Sequence, residues 1–325
     1  MMDLAAVTGA SGFLGRYIVR ALSEDGRRVR ALVRRYPVHD QLSDSKFEAV
    51  PGDLSNLSSL HRLVRGAHSI VHAGGLIKAR DSRDFYRVNV EGTANLVDAV
   101  NASDTPMRLV LVSSMAARAP HLSPYAATKN AAEEIVRTRL LPLHEWIIIR
   151  PAAVYGPWDR ETLAVLKAVS LGVALRPGGR QGRVCLVHAR DVAAAVAMLS
   201  ARGQPGHEYE ICDSRFDGYL WEEITDAAAR VLDIRTMPIA LPAWAMRCAG
   251  GVGSVLSQLT MSPSMLTIHK VRELLHPDWS STRDSQPPGW LWQPQIDLNC
   301  GFLETIAWYQ TRGWLSSPRK VNSPD

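Results

Sequence analysis

The sequence has few of the features that mark secreted or zinc-binding proteins. Its 325 residues include only four cysteines, which stand far apart and form no Cys-x-x-Cys pair. We therefore expect neither a disulfide framework nor a metal site. No basic segment with a cleavage site precedes the first apolar run, so we expect no signal peptide. These absences favour a cytoplasmic protein.

Long apolar runs and long basic runs are also absent. No uninterrupted apolar stretch reaches the roughly 20 residues that a membrane-spanning helix needs. The nearest approach, residues 239–259, contains Pro242, Arg247 and several glycines. The formal net charge is +5 and no basic run occurs, so nucleic-acid binding is not expected. The mild positive charge suits anionic ligands such as phosphates, or an acidic membrane surface.

The first 150 residues alternate short apolar runs with helical patterns. Runs typical of buried strands cover residues 4–8, 29–33, 47–50, 69–72, 109–113 and 146–150. Helical spacing of apolar residues covers 13–24, 57–64, 85–101 and 125–140. This alternation predicts an α/β fold with a doubly wound parallel sheet. We expect residues 151–315 to form a smaller, mostly helical substrate lobe, with 184–201 returning to the first domain and 316–325 a flexible tail.

A glycine-rich turn stands where the first strand passes into the first helix, and it reads Thr8-Gly-Ala-Ser-Gly-Phe-Leu-Gly15. Gly9 and Gly12 allow close approach to a pyrophosphate, and Gly15 lets the helix pack near the strand. The helix N-terminus would face the negative charge. Alone this motif often makes only a turn, but at this junction it predicts a Rossmann-type dinucleotide-binding domain over residues 1–150. Three more residues of the turn are assigned to the cofactor: Ser11, Phe13 and Leu14.

The residues after the second strand indicate which dinucleotide binds. An NAD site usually has an acidic residue there, about 20 residues after the glycines. Here Arg34 and Arg35 occupy these positions. A guanidinium binds a 2′-phosphate, so we expect NADP(H), with NAD as the alternative. Arg34 is the better candidate and Arg16 a further one, while Asp53, with Leu54 beside it, would bind the adenine amino group.

Tyr125 and Lys129 stand four residues apart, on one face of a predicted helix. Carbonyl reduction needs a proton donor beside the reacting carbonyl. A free tyrosine has a pKa of about 10, which a neighbouring ammonium lowers by stabilising the phenolate. Ser114, at the end of the fifth strand, would hydrogen-bond the substrate oxygen. We predict these three as the catalytic residues, with Lys129 also binding the nicotinamide ribose.

Together these motifs resemble those of the extended short-chain dehydrogenases/reductases, in the epimerase/dehydratase branch that includes enzymes like 3β-hydroxysteroid dehydrogenase and dihydroflavonol reductase. The matching segments, which continue to about Trp314, are Thr8 to Gly15, Asp53-Leu54, 72–75, 89–93, Ser113-Ser114, 125–129, Arg150-Pro151, 155–157 and 188–192. The resemblance implies a Rossmann-type domain and oxidoreductase chemistry by serine, tyrosine and lysine.

The resemblance also implies roles for residues outside the motifs discussed above. Four of them would line the cofactor: Ala73, Gly74, Pro151 and Val154. Asn89 would tie strands together, and His188 and Asp191 would be structural. Relatives of this kind often form homodimers through the helices that correspond to 85–101 and 125–140.

One departure from the resemblance concerns the serine. Only ten residues separate Ser114 from Tyr125, whereas many sugar-nucleotide members have a longer insertion there. Either the substrate loop is trimmed, or the role belongs to Ser113 or Ser123. We keep Ser114.

The substrate is predicted from two apolar features. Ala153 stands where sugar-nucleotide relatives often have an asparagine, and residues 241–259 are mostly apolar. Residues 241–259 would line an apolar pocket, rest on a membrane interface, or simply pack on the core. We expect an oxidoreductase of a bulky apolar ketone or secondary alcohol, such as a 3-keto lipid, ketoceramide-type compound, steroid or flavonoid. A sugar-nucleotide epimerase or dehydratase with bound NAD, and a non-catalytic dinucleotide sensor or assembly factor, are the alternatives.

Overall fold

The structure is a computed structural model and describes residues 3–34, 47–79, 81–178, 182–259 and 267–316. Strands β1 to β14 are Leu4–Thr8, Arg28–Val33, Glu48–Pro51, Ser69–His72, Arg108–Val112, Glu145–Pro151, Ala153–Tyr155, Val173–Pro177, Arg183–Val184, Leu186–His188, His207–Ile211, Tyr219–Leu220, Met237–Leu241 and Asp278–Trp279. Helices α1 to α11 are Phe13–Glu24, Leu57–Val64, Ser82–Phe85, Gly92–Asn101, Pro124–Arg139, Glu161–Ser170, Ala189–Arg202, Trp221–Leu232, Ala243–Leu259, Ile268–Leu274 and Leu298–Thr311.

Within these residues a seven-stranded parallel sheet has the order β11-β6-β5-β4-β1-β2-β3. All six predicted strands lie in it, and the doubly wound α/β fold is confirmed. The prediction missed the edge strand β11, whose sequence is His-Glu-Tyr-Glu-Ile. Its two glutamates interrupt the apolar run that is typical of a buried strand. In the structure both are paired with arginines: Glu208 with Arg137 and Arg150, and Glu210 with Arg118.

Helices cover both faces of this sheet. α1 and α7 bury residues such as Ile18, Leu22 and Val196 on one face. α2, α4 and α5 bury residues such as Leu63 and Val136 on the other. The helix predicted over 85–101 is divided, because a π-helical turn, Tyr86–Glu91, joins α3 to α4.

A separate hydrophobic cluster lies among α6, α8 and α11, around the fully buried side chains of Tyr155, Phe302 and Tyr309. This part of the chain also contains a two-stranded sheet of β8 and β13 and a three-stranded sheet in the order β12-β9-β14. The C-terminal part is therefore less purely helical than expected. In the described portion of the chain, no helix combines the length and apolar character that crossing a membrane would require.

A buried carboxylate ties α5 to the ends of two neighbouring strands. Glu133 on α5 has no exposed surface. It accepts hydrogen bonds from Ser113 Oγ, after β5, at 2.6 Å and from Arg150 Nε, on β6, at 2.9 Å. Arg137, one turn further along α5, donates to the same carboxylate at 2.8 Å. α5 is thereby held at the carboxyl edge of the sheet.

We expect Glu133→Ala to lower the free energy of unfolding by about 3 kcal/mol, because it removes the buried acceptor of Ser113, Arg137 and Arg150 and leaves the two partly buried arginines with only more exposed acidic partners. Urea denaturation measures this change. The matched control is Glu134→Ala on the same helix, whose side chain is 58% exposed and which should lose less than about 1 kcal/mol. Equal losses in the two variants would contradict the role of the buried carboxylate.

Candidate active site

The predicted cofactor and catalytic residues meet at one edge of the sheet. β1, β4 and β5 are adjacent and parallel, so the loops that follow them open on the same side. These loops contain Gly9, the Ala73-Gly74 pair and Ser114. In open α/β sheets, ligands bind in the crevice at the carboxyl ends of the strands.

The glycine turn is in close contact with the loop after β4. Gly9 has a φ of +76°, and a Cβ there would lie 2.6 Å from the Ala73 carbonyl. Thr8 Oγ1 accepts a hydrogen bond from the Gly74 N–H at 3.1 Å and lies 2.6 Å from His72 Nδ1. A side chain at Gly9 or Gly74 would force the two loops apart. This clash explains why glycine stands at both positions.

The N-terminus of α1 is open to an anion. In the described part of the chain no side chain caps it, and its first turn contains no acidic residue. Ser11 and Gly12, which precede the helix, are exposed. The free N–H groups and the helix dipole favour a phosphate at this point. The close glycine contacts and the uncapped helix together fit a dinucleotide pyrophosphate.

The residues predicted to bind the adenosine end of the dinucleotide differ in how far their side chains are available to a ligand. Arg34 is exposed at the end of β2, and Arg35 lies outside the described residues. Asp53 Oδ1 accepts from Ser55 N at 2.8 Å and from Ser55 Oγ at 2.6 Å. These bonds, with a smaller contribution from Arg34, lower the pKa of Asp53. The Leu54 carbonyl accepts from Asn95 at 2.9 Å, which fastens this loop to α4.

Arg16, the further candidate for the phosphate, lies beside the glycine turn. Its guanidinium is 4.6 Å from the ring centre of Trp158, and its Nε donates to the Gly12 carbonyl at 3.3 Å. Its Nη1 is buried without a hydrogen-bond partner among the residues that the structure describes. Phe13 and Leu14 are half-buried in the first turn of α1.

The other residues implied by the resemblance have mixed positions. Pro151 ends β6 and Val154 lies in the middle of β7. Asn89 ties the loop after β4 to α5, not strand to strand, because it bonds the Leu76 N–H at 2.7 Å and Thr128 Oγ1 at 3.1 Å. His188 and Asp191 have structural contacts: His188 caps α7, and Asp191 accepts two backbone N–H bonds.

Ser114, Tyr125 and Lys129 surround the end of β5. The Ser114 side chain interacts with the Tyr125 hydroxyl and lowers the pKa of that phenol, and Ser114 Oγ accepts from the Ala116 N–H at 3.2 Å. Lys129 Nζ donates to the Val112 carbonyl at 2.9 Å, and the lysine is only 8% exposed. Tyr125 is in the first turn of α5.

Ser113 and Ser123, the two alternatives to Ser114, are engaged elsewhere. Ser113 donates to the buried Glu133. Ser123 caps α5 and donates to Glu273. Of the three serines, Ser114 is the one that interacts with Tyr125.

The pKa of Tyr125 changes in the direction opposite to our expectation. Burial raises it to about 12, with smaller increases from Glu273 and Glu161, and the hydrogen bond from Ser114 opposes the change. Burial also lowers the pKa of Lys129 to about 8, and nearby Glu133 opposes that change. Desolvation is therefore the largest influence on the phenol, Lys129 is not among the described groups that shift it, and Tyr125 is protonated at neutral pH.

A cavity of about 520 Å³ lies beside Tyr125. Its wall is formed by Ile77 and Phe85 near α3, by the start of α5, and by residues of α10, including Lys270 and Glu273. α10 falls within the predicted substrate lobe, 151–315, but the sequence marks none of its residues. No motif marks Glu273, which is nearly 150 positions from Tyr125 in the chain.

Comparisons with known proteins show the family and the fold of the chain. The model of the NAD dependent epimerase/dehydratase family matches residues 5–212. The chain is 41% identical to ceramide reductase of Caulobacter vibrioides, over 96% of each chain. It is 26% identical to a putative dihydroflavonol 4-reductase of Synechocystis, over 98% of this chain and 97% of the relative. A dTDP-glucose 4,6-dehydratase of Bacillus anthracis in complex with NAD has the same fold, with a TM-score of 0.70 and 18% identity over 97% and 99% of the chains.

We expect Gly9→Ala to weaken binding of the nicotinamide dinucleotide, NADPH or NADH, about tenfold or more, because the added Cβ forces the two loops apart. Titration calorimetry measures the affinity. The control is Gly26→Ala, which has a similar φ of +79° but nothing within 4 Å of the new Cβ, so it meets the same backbone strain without the clash. Unchanged affinity in Gly9→Ala would show that the dinucleotide does not use this turn.

Proposed function

The chain belongs to the NAD dependent epimerase/dehydratase family, and from this we propose that it is an NADP(H)-dependent reductase of a bulky apolar ketone. The comparisons show an oxidoreductase of the extended short-chain dehydrogenase/reductase family, whose relatives include proteins named ceramide reductase and putative dihydroflavonol 4-reductase. The observation that carries this proposal is the position of Tyr125, which interacts with Ser114 and lines a partly apolar cavity.

The substrate class follows from the cavity and from the relative at 41% identity, which is named a ceramide reductase. Ile77 and Phe85 form an apolar part of the cavity wall, and the Phe85 ring centre is 6.2 Å from that of Tyr125. A long-chain ketone would place its hydrocarbon along these side chains and its carbonyl at the phenol. We propose a 3-keto lipid of the ketoceramide type.

In the proposed reaction, Tyr125 donates its proton to the carbonyl oxygen as the ketone becomes a secondary alcohol. Ser114 hydrogen-bonds the same oxygen and holds it in line with the phenol. The chemistry that the reduced dinucleotide supplies when bound is hydride donation to the carbonyl carbon. A pKa of about 12 keeps the phenol protonated at neutral pH, as proton donation to a carbonyl requires.

Lys129 has two proposed tasks. Its ammonium would hold the nicotinamide ribose, and its charge would stabilise the phenolate that remains after proton transfer. The Val112 carbonyl positions the ammonium, and Glu133, one turn away on α5, favours its charged form. Because burial lowers the pKa of Lys129 to about 8, this charge is lost in mildly alkaline solution.

We propose NADP(H) over NAD on the charge of Arg34. This guanidinium is exposed at the end of β2, where a 2′-phosphate would lie. The homodimer remains a prediction. Peripheral membrane contact through 241–259 also remains a prediction, supported by the exposed side chains of Trp244 and Val252 on α9.

The activity test follows NADPH consumption by the purified protein with a panel of long-chain 3-keto lipids, and repeats it with NADH. We expect turnover with NADPH preferred. Tyr125→Phe should lower kcat/KM by about 10²- to 10⁴-fold, because it removes the proton donor. Tyr86→Phe, which alters an exposed tyrosine, should match the wild type. Turnover of no panel member, or full activity in Tyr125→Phe, would refute the proposal.

A pH profile tests the role of Lys129. We expect kcat/KM for reduction to be level near pH 7 and to fall as the pH rises through about 8, because the buried ammonium then loses its proton. The fall should be absent in Lys129→Arg, whose guanidinium stays charged over this range. A wild-type profile that stays level from pH 7 to about 9, or the same fall in both proteins, would exclude Lys129 as the titrating group.

A further inference from the structure

Opposite the apolar part of the cavity, two elements form a polar wall. Ser123 stands at the start of α5, two residues before Tyr125, and Glu273 lies near the end of α10. The Ser123 hydroxyl donates to Glu273 Oε1. Trp279 Nε1 donates to the Glu273 carbonyl at 2.9 Å, which fixes the end of α10. The carboxylate is therefore held in place beside the reacting phenol.

This carboxylate has unused capacity to accept hydrogen bonds. In the part of the chain that the structure describes, its donors are Ser123 at Oε1 and Lys270 at Oε2, the latter at 3.3 Å. A carboxylate offers about four acceptor positions. The Glu273 side chain is only 13% exposed, so a donor reaching it from the cavity would meet little competition from water.

The charges around the cavity are balanced in pairs. Lys78 is paired with Glu161, and Lys270 with Glu273. His269 also lines the cavity, and burial lowers its pKa, so it is neutral at pH 7. Both carboxylates interact electrostatically with Tyr125. A phosphate or carboxylate placed beside the reacting carbonyl would meet two negative groups whose lysines are already engaged.

We propose that Glu273, held by Ser123, is the specificity-determining residue that selects a neutral substrate with a hydrogen-bond donor, an amide N–H or a hydroxyl, next to its reacting ketone. This inference rests on the proposed function and narrows it. A lipid with such a donor fits both walls: its hydrocarbon packs on Ile77 and Phe85, and its donor bonds Glu273. An unfunctionalised ketone would leave the carboxylate's free acceptor positions facing the hydrocarbon.

The test compares two 3-keto lipids of equal chain length with the full-length protein and NADPH. One carries an N-acyl amide next to the ketone, and the other carries a methylene group in its place. We expect wild-type kcat/KM to be about tenfold or more higher for the amide substrate, as for a hydrogen bond to a charged group. In Glu273→Ala this preference should fall to within about twofold, mainly through a higher KM for the amide substrate.

The matched control is Glu24→Gln on α1. Glu24 is exposed and ion-paired, as Glu273 is ion-paired, and this variant should keep the wild-type preference for the amide substrate. If Glu273→Ala does not fold, Glu273→Gln replaces it and should lose part of the preference. Equal wild-type rates on the two substrates, or the same loss on both in the Glu273 variant, would overturn the inference and leave the reductase function standing. No wild-type turnover of either lipid would instead overturn the proposed function.

Discussion

The buried carboxylate of Glu133 is the constraint on which the proposed catalytic arrangement depends. It connects α5 to the end of β5 through Ser113 and to β6 through Arg150. Lys129 and Tyr125 lie one and two turns earlier on the same helix, so anchoring Glu133 also sets their position over the edge of the sheet. A buried charge is tolerated here because three donors surround it.

The burial that positions these groups also determines their protonation. Desolvation disfavours charge, so it raises the pKa of the Tyr125 phenol and lowers that of the Lys129 ammonium. Each change is opposed by one neighbour, Ser114 for the phenol and Glu133 for the ammonium. The resting site therefore holds a neutral phenol and an ammonium that loses its proton more easily than usual. A neutral phenol suits proton donation to a carbonyl.

The cleft has two halves with different physical origins. The dinucleotide half is made of backbone in close approach, where Gly9 and Gly15 leave no room for a side chain. The substrate half is made of side chains from distant segments, with Phe85, Ser123 and Glu273 around one cavity. The first half depends on local turn geometry, whereas the second depends on how α10 packs beside α5.

The sequence by itself determined the doubly wound sheet, the glycine turn and the Ser114, Tyr125 and Lys129 set, because these depend on local periodicity and short spacings. It did not reveal β11, whose glutamates look unlike a strand until Arg137, Arg150 and Arg118 pair with them. Only the tertiary structure decided the pKa of Tyr125, since burial of the phenol raises it and the spacing of Tyr125 and Lys129 does not reveal that burial. Only the tertiary structure placed Glu273 beside that phenol, because contacts between residues so far apart in the chain arise from packing and leave no periodic pattern in the sequence.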